Sequence, residues 1–353
     1  MALVRRKHRR LLAKIGLALL VLLITGEVAS WIISRSMFSL LDVFKLEKPN
    51  IEFNDPEALH VLCVGDSYTY GDGSQRQSRK FFGYPEILGR ILVKPDKSAG
   101  AEVVNLGVPG YSSAGTLKRL RKFLTRSKTD PDVVLIAVGM NNIGHWGFFQ
   151  CLSRDESYQA SWFDRVRFFI GTRSFWSKFL VSLLVAFDTD LPPFMTYPKK
   201  FRLDDQGQMQ WHDPADREIV EQCLREDYGK IVQLAQSVGA EPILLTYHRG
   251  WFITDVQKEF AEQTGIPLID VARHASACKQ SPWQEYSGMS DWHPDLSGYL
   301  AIAYFVAEEL AAHPLGQQHE LKVVPYRRIA PLIQEILKPE AAPDFIVPCE
   351  LAV

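Results

Sequence analysis

The run Val61-Leu62-Cys63-Val64-Gly65-Asp66-Ser67-Tyr68-Thr69-Tyr70-Gly71-Asp72-Gly73 decides how the chain is read. Four apolar residues give way to Gly-Asp-Ser, and then to small and polar residues. A buried parallel strand that ends by lifting one serine into a cleft has this pattern, and open α/β sheets build their sites beyond the strands' carboxyl ends. The same residues suit an ordinary strand-to-loop turn, because Gly, Asp and Ser are common turn formers. The choice between the two rests on whether the chain also supplies a base and oxyanion donors.

Short apolar runs of the same kind recur along the chain. His60–Val64 is the first, followed by Val103–Leu106, Asp132–Val138, Pro242–Thr246 and Ile266–Asp270. Each is nearly continuous in Val, Ile and Leu, as expected of strands covered on both faces. Between them Tyr84–Leu92, Ser113–Leu124, Pro214–Ser237 and Asp255–Gln263 carry helical spacing. Asp213-Pro214 suits a helix start, and Gly239 suits its end. This alternation predicts an α/β fold: a doubly wound, flavodoxin-like, five-stranded parallel sheet with helices on both faces and right-handed crossovers.

The amino terminus follows other rules. Arg5, Arg6, Lys7, Arg9 and Arg10 precede an apolar run from Ile15 to Gly26, which continues after Glu27 as Val28–Ile33. Residues 11–33 are long enough for a transmembrane helix, which needs about 20 residues. The clustered cations place residues 1–10 in the cytoplasm and the rest of the chain outside, periplasmic or extracellular. A cleaved signal peptide competes with this reading, with Val28-Ala29-Ser30 as a poor cleavage site. An amphipathic surface helix fits less well, since the run has no polar face.

Residues 34–57 read as a linker, 58–312 as the main domain and 313–353 as a peripheral tail, with a short helix expected over Arg328–Leu337. The stretch 145–211 reads as an aromatic-rich insertion, expected to pack as a subdomain or to cover the cleft as a lid. A formal net charge of −1 over 353 residues gives no basis for nucleic-acid binding. The cysteines at 63, 151, 223, 278 and 349 show no Cys-x-x-Cys spacing, and no Cys/His pattern suggests a metal site. Being odd in number, they cannot all pair within an exported chain.

Acyl transfer to a serine needs a base, and neutral histidine serves near pH 7. Of nine histidines, His293 stands apart: Ser290-Asp291-Trp292-His293-Pro294-Asp295 precedes the apolar helical run Leu296–Leu310, after the fifth strand. Asp291 is near enough in sequence to orient the imidazole. The plainer alternative is a capping loop with an incidental histidine. Oxyanion donors would come from the turn Pro109-Gly110-Tyr111-Ser112, where Gly110 leaves its N–H open, and from Gly139-Met140-Asn141-Asn142, where an amide side chain can donate.

Together these four segments resemble the SGNH (GDSL-like) hydrolase family, of membrane-anchored bacterial type, over about Leu59 to Ala312. The resemblance implies Ser67 as nucleophile and first oxyanion N–H, Gly110 and Asn141 as the other donors, His293 as base and Asp291 as its acid. Two positions depart from the family pattern. Asn142 stands where an aspartate commonly follows the block-three Asn, which should alter a supporting hydrogen bond more than the chemistry. The usual acid position, three before the histidine, is Ser290; Asp291 or a backbone carbonyl then orients His293.

The expected activity is a cofactor-free serine esterase acting on O-acyl esters, acetyl above all, of surface or exported carbohydrate. An O-acyltransferase or a lipid esterase would use the same site. A non-catalytic module that binds envelope polymers is the alternative of a different class.

Overall fold

The computed structural model describes residues 52–74, 78, 82–96, 98–154, 201–203, 209–249, 252–277 and 293–339, together with residues 14, 21, 25, 26 and 162. Five parallel strands run as β1 (Leu59–Gly65), β2 (Ala101–Asn105), β3 (Val133–Ala137), β4 (Glu241–Leu245) and β5 (Leu268–Ile269). They lie in the order β2-β1-β3-β4-β5. All four strand pairings are parallel, in registers such as Val61 with Val103 and Val61 with Val133. This is the doubly wound order with its switch point between β1 and β3. Interior β1 and β3 are buried throughout, while edge strand β2 is only half covered.

The helices are α1 (Ser67–Tyr70), α2 (Tyr84–Ile91), α3 (Ser113–Leu124), α4 (His145–Leu152), α5 (Pro214–Gln236), α6 (Phe252–Thr264), α7 (Val271–Ala277), α8 (Leu296–Ala312), α9 (Pro314–Gln318) and α10 (Tyr326–Ile336). One layer packs α2 and α7 against α8, and the other packs α3, α4 and α6 against α5. The residue pattern explains each layer. Helix α3 buries Ser113, Thr116, Leu120 and Phe123 at three- and four-residue steps, so one stripe faces the sheet. Helix α8 is apolar nearly all round and buried nearly all round from Leu296 to Ala307.

Two stretches differ from the sequence expectation. The start of the aromatic stretch belongs to the domain: Phe148, Phe149 and Leu152 of α4 are buried, and Cys151 forms a disulfide with Cys223 of α5. Over residues 314–339 the chain is not peripheral. Leu321, Val324, Ile329, Ile333 and Leu337 are buried, and Lys322–Val323 pairs antiparallel with Leu92–Val93. The apolar spacing of α10 supplies the reason, since Ile329 and Ile333 form one inward stripe.

The chain divides into two units, residues 1–48 with 156–198, and residues 49–155 with 199–353. In the first, Thr25 Oγ1 donates to the Val21 carbonyl at 2.7 Å. Apart from residues 14, 21, 25 and 26, the expected anchor at 11–33 lies outside the described residues, as do the linker up to residue 51 and most of the insertion. Among the described residues no helix is long and apolar enough to cross a membrane.

A part-buried polar bracket sets α2 against β2. Glu86 accepts from Gly83 N at 3.0 Å and from Asn105 Nδ2 at 2.8 Å, and Asn105 also reaches the Thr69 carbonyl at 3.0 Å. Burial pushes the Glu86 carboxyl up to about 7, despite the lowering from Asn105 and the backbone donors. The folded state therefore holds a proton that the unfolded chain releases near 4.5. That contribution to stability is complete below the unfolded value and disappears as pH rises through about 7. In thermal melts between those limits, Glu86→Gln should show a shallower fall of midpoint with pH than the wild type. Equal slopes would show that Glu86 does not titrate there.

Candidate active site

Strand β1 delivers Ser67 to the carboxyl rim of the sheet. Gly65 must be small, because a Cβ there would meet the Ala137 carbonyl of β3 at 2.3 Å. Asp66 then caps α1, accepting from Tyr68 N at 3.0 Å, so the chain turns sharply and Ser67 stands half-buried at the first helical position. His293, just before α8, lies with Nε2 2.6 Å from Ser67 Oγ. With the ring proton on Nδ1, Nε2 accepts the serine hydroxyl. The two residues that the sequence put forward as nucleophile and base are thus hydrogen-bonded.

The loop after α1 seats the base. Gly73 has φ +99°, and a Cβ on it would meet the Pro294 carbonyl at 2.4 Å and His293 Cβ at 2.8 Å. Tyr299 of α8 donates to the Asp72 carbonyl at 2.8 Å, drawing the same loop against the helix. The Asp72 carboxylate lies 4.0 Å from His293 Nε2, on the Ser67 side of the ring. Asp291 lies outside the described residues.

A second histidine sits nearby. His248 follows β4, and its ring stacks on Tyr68 at 5.8 Å between centroids. Burial holds its pKa down to about 3, helped by the charges of Arg249 and His293, so it is neutral near pH 7. Tyr68 also packs against Tyr84, Tyr247 and Tyr299, forming an aromatic floor beside the serine.

Gly110 and Asn141 lie on two loops joined by a hydrogen bond. Gly110 takes φ +77° in an exposed turn, with nothing within 4 Å of where a Cβ would project, so its backbone is open to a ligand. Asn141 Nδ2 donates to the Tyr111 carbonyl at 3.1 Å with one of its two protons. The other proton is available to a ligand. The Asn141 loop is tied to the serine turn through Tyr247: Met140 N donates to its hydroxyl at 3.2 Å, which donates to Asp66 Oδ2 at 2.7 Å. Burial pushes the Asp66 carboxyl up to about 6, despite the lowering by Tyr247 and the backbone donors.

A serine hydrogen-bonded to a histidine, with glycine and asparagine donors on adjoining loops, is equipped for acyl transfer. The family model for GDSL-like lipases and acylhydrolases matches residues 63–301. The chain belongs to the GDSL-like lipase/acylhydrolase family. No curated protein matches it. Among solved structures, it is similar to a lipolytic protein of the G-D-S-L family from Veillonella parvula, at 15% identity and a TM-score of 0.38, covering 71% of this chain and 97% of that one. It is also similar to a lipase/acylhydrolase from Enterococcus faecalis, at 15% identity and TM-score 0.39, over 75% and 98% of the two chains. A psychrotrophic esterase from a Pseudoalteromonas species is similar at 14% identity and TM-score 0.38, over 72% and 97%. As in its family, the chain is an ester hydrolase.

Sequence reasoning missed several residues in this GDSL-family site. Gly71-Asp72-Gly73 carried a signal, since alternating glycines around one acid mark a constrained loop. Tyr247 and Tyr299 carried none, because buried tyrosines on a strand end and a helix read as core. Among the described residues no cluster of His, Cys, Asp and Glu is suited to a metal ion.

Gly73→Ala forces the base away from the serine, because the nearest contacts of the added methyl are all with His293 and Pro294. A displacement near 1 Å costs about 10²-fold in turnover. Steady-state kinetics should show a loss of about that size with the circular dichroism spectrum retained. An unchanged kcat would show that the loop does not seat His293.

Proposed function

We propose that the chain is a serine esterase that removes O-acyl groups, acetyl above all, from surface or exported carbohydrate through a Ser67 acyl-enzyme. The observation that carries the chemistry is the 2.6 Å hydrogen bond between Ser67 Oγ and His293 Nε2. His293 takes the hydroxyl proton as Oγ bonds to the ester carbonyl carbon. The resulting oxyanion is held by the Ser67 and Gly110 N–H groups and the second proton of the Asn141 amide. Collapse breaks the bond to the alcohol, which leaves with the proton from His293. Water then attacks the acyl carbon, gives its proton to His293, and releases the acid as Ser67 recovers its hydrogen. Asp72 lies on the Nε2 side, so orientation through Nδ1 falls to Asp291 or to a backbone carbonyl.

An exported location would fit the substrate class. Residues 1–10 would stay in the cytoplasm, 11–33 would anchor the chain, and 34–57 would link the anchor to an exported domain. The Cys151–Cys223 disulfide favours this, because such bonds persist in oxidising compartments and are rare in the cytosol. If a sugar hydroxyl replaces water in the second step, the same site becomes an O-acyltransferase.

A serine-reactive phosphonate should label the wild type and leave Ser67→Ala unlabelled. Equal labelling would remove Ser67 from the mechanism, and absent turnover would favour a binding module. Asn141→Ala should cost ~10²–10³ in kcat on a short-chain aryl ester, the usual effect of losing one oxyanion donor. Running the assay with and without acceptor sugars, and against a long-chain lipid ester, separates esterase, transferase and lipase.

A further inference from the structure

Behind the Asn141 loop lies a buried polar cluster that ester cleavage does not itself demand. Ser113 N donates to Asn142 Oδ1 at 2.9 Å, which fixes the amide so that Asn142 Nδ2 faces Ser113 Oγ at 2.8 Å. An amide N–H can only donate, so Ser113 Oγ accepts there and its own proton goes to Asp227 Oδ2 at 2.5 Å. Arg154 Nη1 donates to the other carboxylate oxygen, Asp227 Oδ1, at 2.7 Å. Asn142, Ser113 and Asp227 are all buried, and Asn142 Nδ2 also approaches Cys151 Sγ at 3.3 Å.

We propose that Asp227 is a positioning residue for the oxyanion-binding segment, acting through Ser113 and Asn142 to fix the Asn141 loop against the Gly110 turn. The inference rests on the esterase reading above. Its physical basis is donor–acceptor matching. Ser113 has one hydroxyl proton, and Asp227 takes it because position 142 presents an amide nitrogen. A carboxylate at 142 would set two buried acids against that one proton, leaving an oxygen facing a lone pair. Asn142 and Asp227 are therefore complementary: the negative charge of the cluster sits at 227, where Arg154 balances it. Exchanging the two side-chain types restores the match, since an amide at 227 donates to Ser113 Oγ, which then donates to a carboxylate at 142.

The exchange supplies the test, through kinetics of Asn142→Asp, Asp227→Asn, their combination, and Asn142→Asp in an Asn141→Ala background. Asn142→Asp should lower kcat about ten-fold with KM within about two-fold, because the loss lies in oxyanion stabilisation. Adding Asp227→Asn should return kcat to within about three-fold of wild type. In the Asn141→Ala background the same change should cost less than about two-fold, because the amide it positions is gone. An unaffected kcat in Asn142→Asp, no recovery in the combination, or an undiminished loss without Asn141 would each overturn the proposal. If Asn142→Asp does not fold, Ser113→Ala enters the same cycle with Asn141→Ala. A fully active Ser67→Ala would sink the esterase reading itself. An inactive Ser67→Ala beside a fully active Asn142→Asp would sink only this inference.

Discussion

The hydrogen bond between Ser67 Oγ and His293 Nε2 joins groups 226 residues apart. Neither residue can find the other through local structure. The parallel sheet makes the meeting possible, because every strand releases its chain at the same rim. β1 leads to Ser67, β2 to Gly110, β3 to Asn141 and β4 to Tyr247 and His248. Helix α8 packs on α2, so the loop before α8 returns to the rim beside α1. The final approach is steric: only a residue without a side chain at 73 lets the His293 backbone settle against that loop.

Buried or part-buried acids sit at the seams between these segments. Asp66 links the serine turn to Tyr247, Glu86 links α2 to Asn105, and Asp227 links α5 to Ser113 and Arg154. A buried carboxylate without donors is costly, so each tolerates few arrangements of its neighbours. Burial raises both Asp66 and Glu86, whereas His248 is driven the other way and stays uncharged. A second imidazolium beside His293 would oppose its protonation during acyl transfer. The neutral His248 avoids that conflict.

Much of this was legible in the sequence because the relevant signals were local. Continuous apolar runs located each strand of the five-stranded sheet within a few residues, since strands covered on both faces need no polar alternation. His293 was legible because a polar loop precedes an unusually apolar helix. Asn142 was legible as a departure from a motif, although its consequence was not. What escaped depended on distant partners. Asp227 lies on a 23-residue helix rich in surface charge, where a buried acid looks like any other. The disulfide spans 72 residues without a spacing motif. α4 was hidden because aromatic residues show the same composition in a core helix and in a lid. The buried stripe of α10 was obscured by the prolines around it.

The site thus has two halves with separate supports. The base half, Ser67 with His293, rests on α1, the glycine loop and the Tyr299 end of α8. The half proposed to hold the oxyanion, Gly110 with Asn141, rests on α3, α5 and the Cys151–Cys223 bond. Electrostatic preorganisation requires the donors to be fixed relative to the attacking oxygen, not merely fixed. Two contacts meet that requirement directly: Val108 N donates to the Gly65 carbonyl at 3.2 Å, and Tyr247 bridges Met140 N to Asp66. Gly65 and Asp66 immediately precede Ser67, so both contacts register the Gly110 and Asn141 loops against the backbone at the proposed nucleophile.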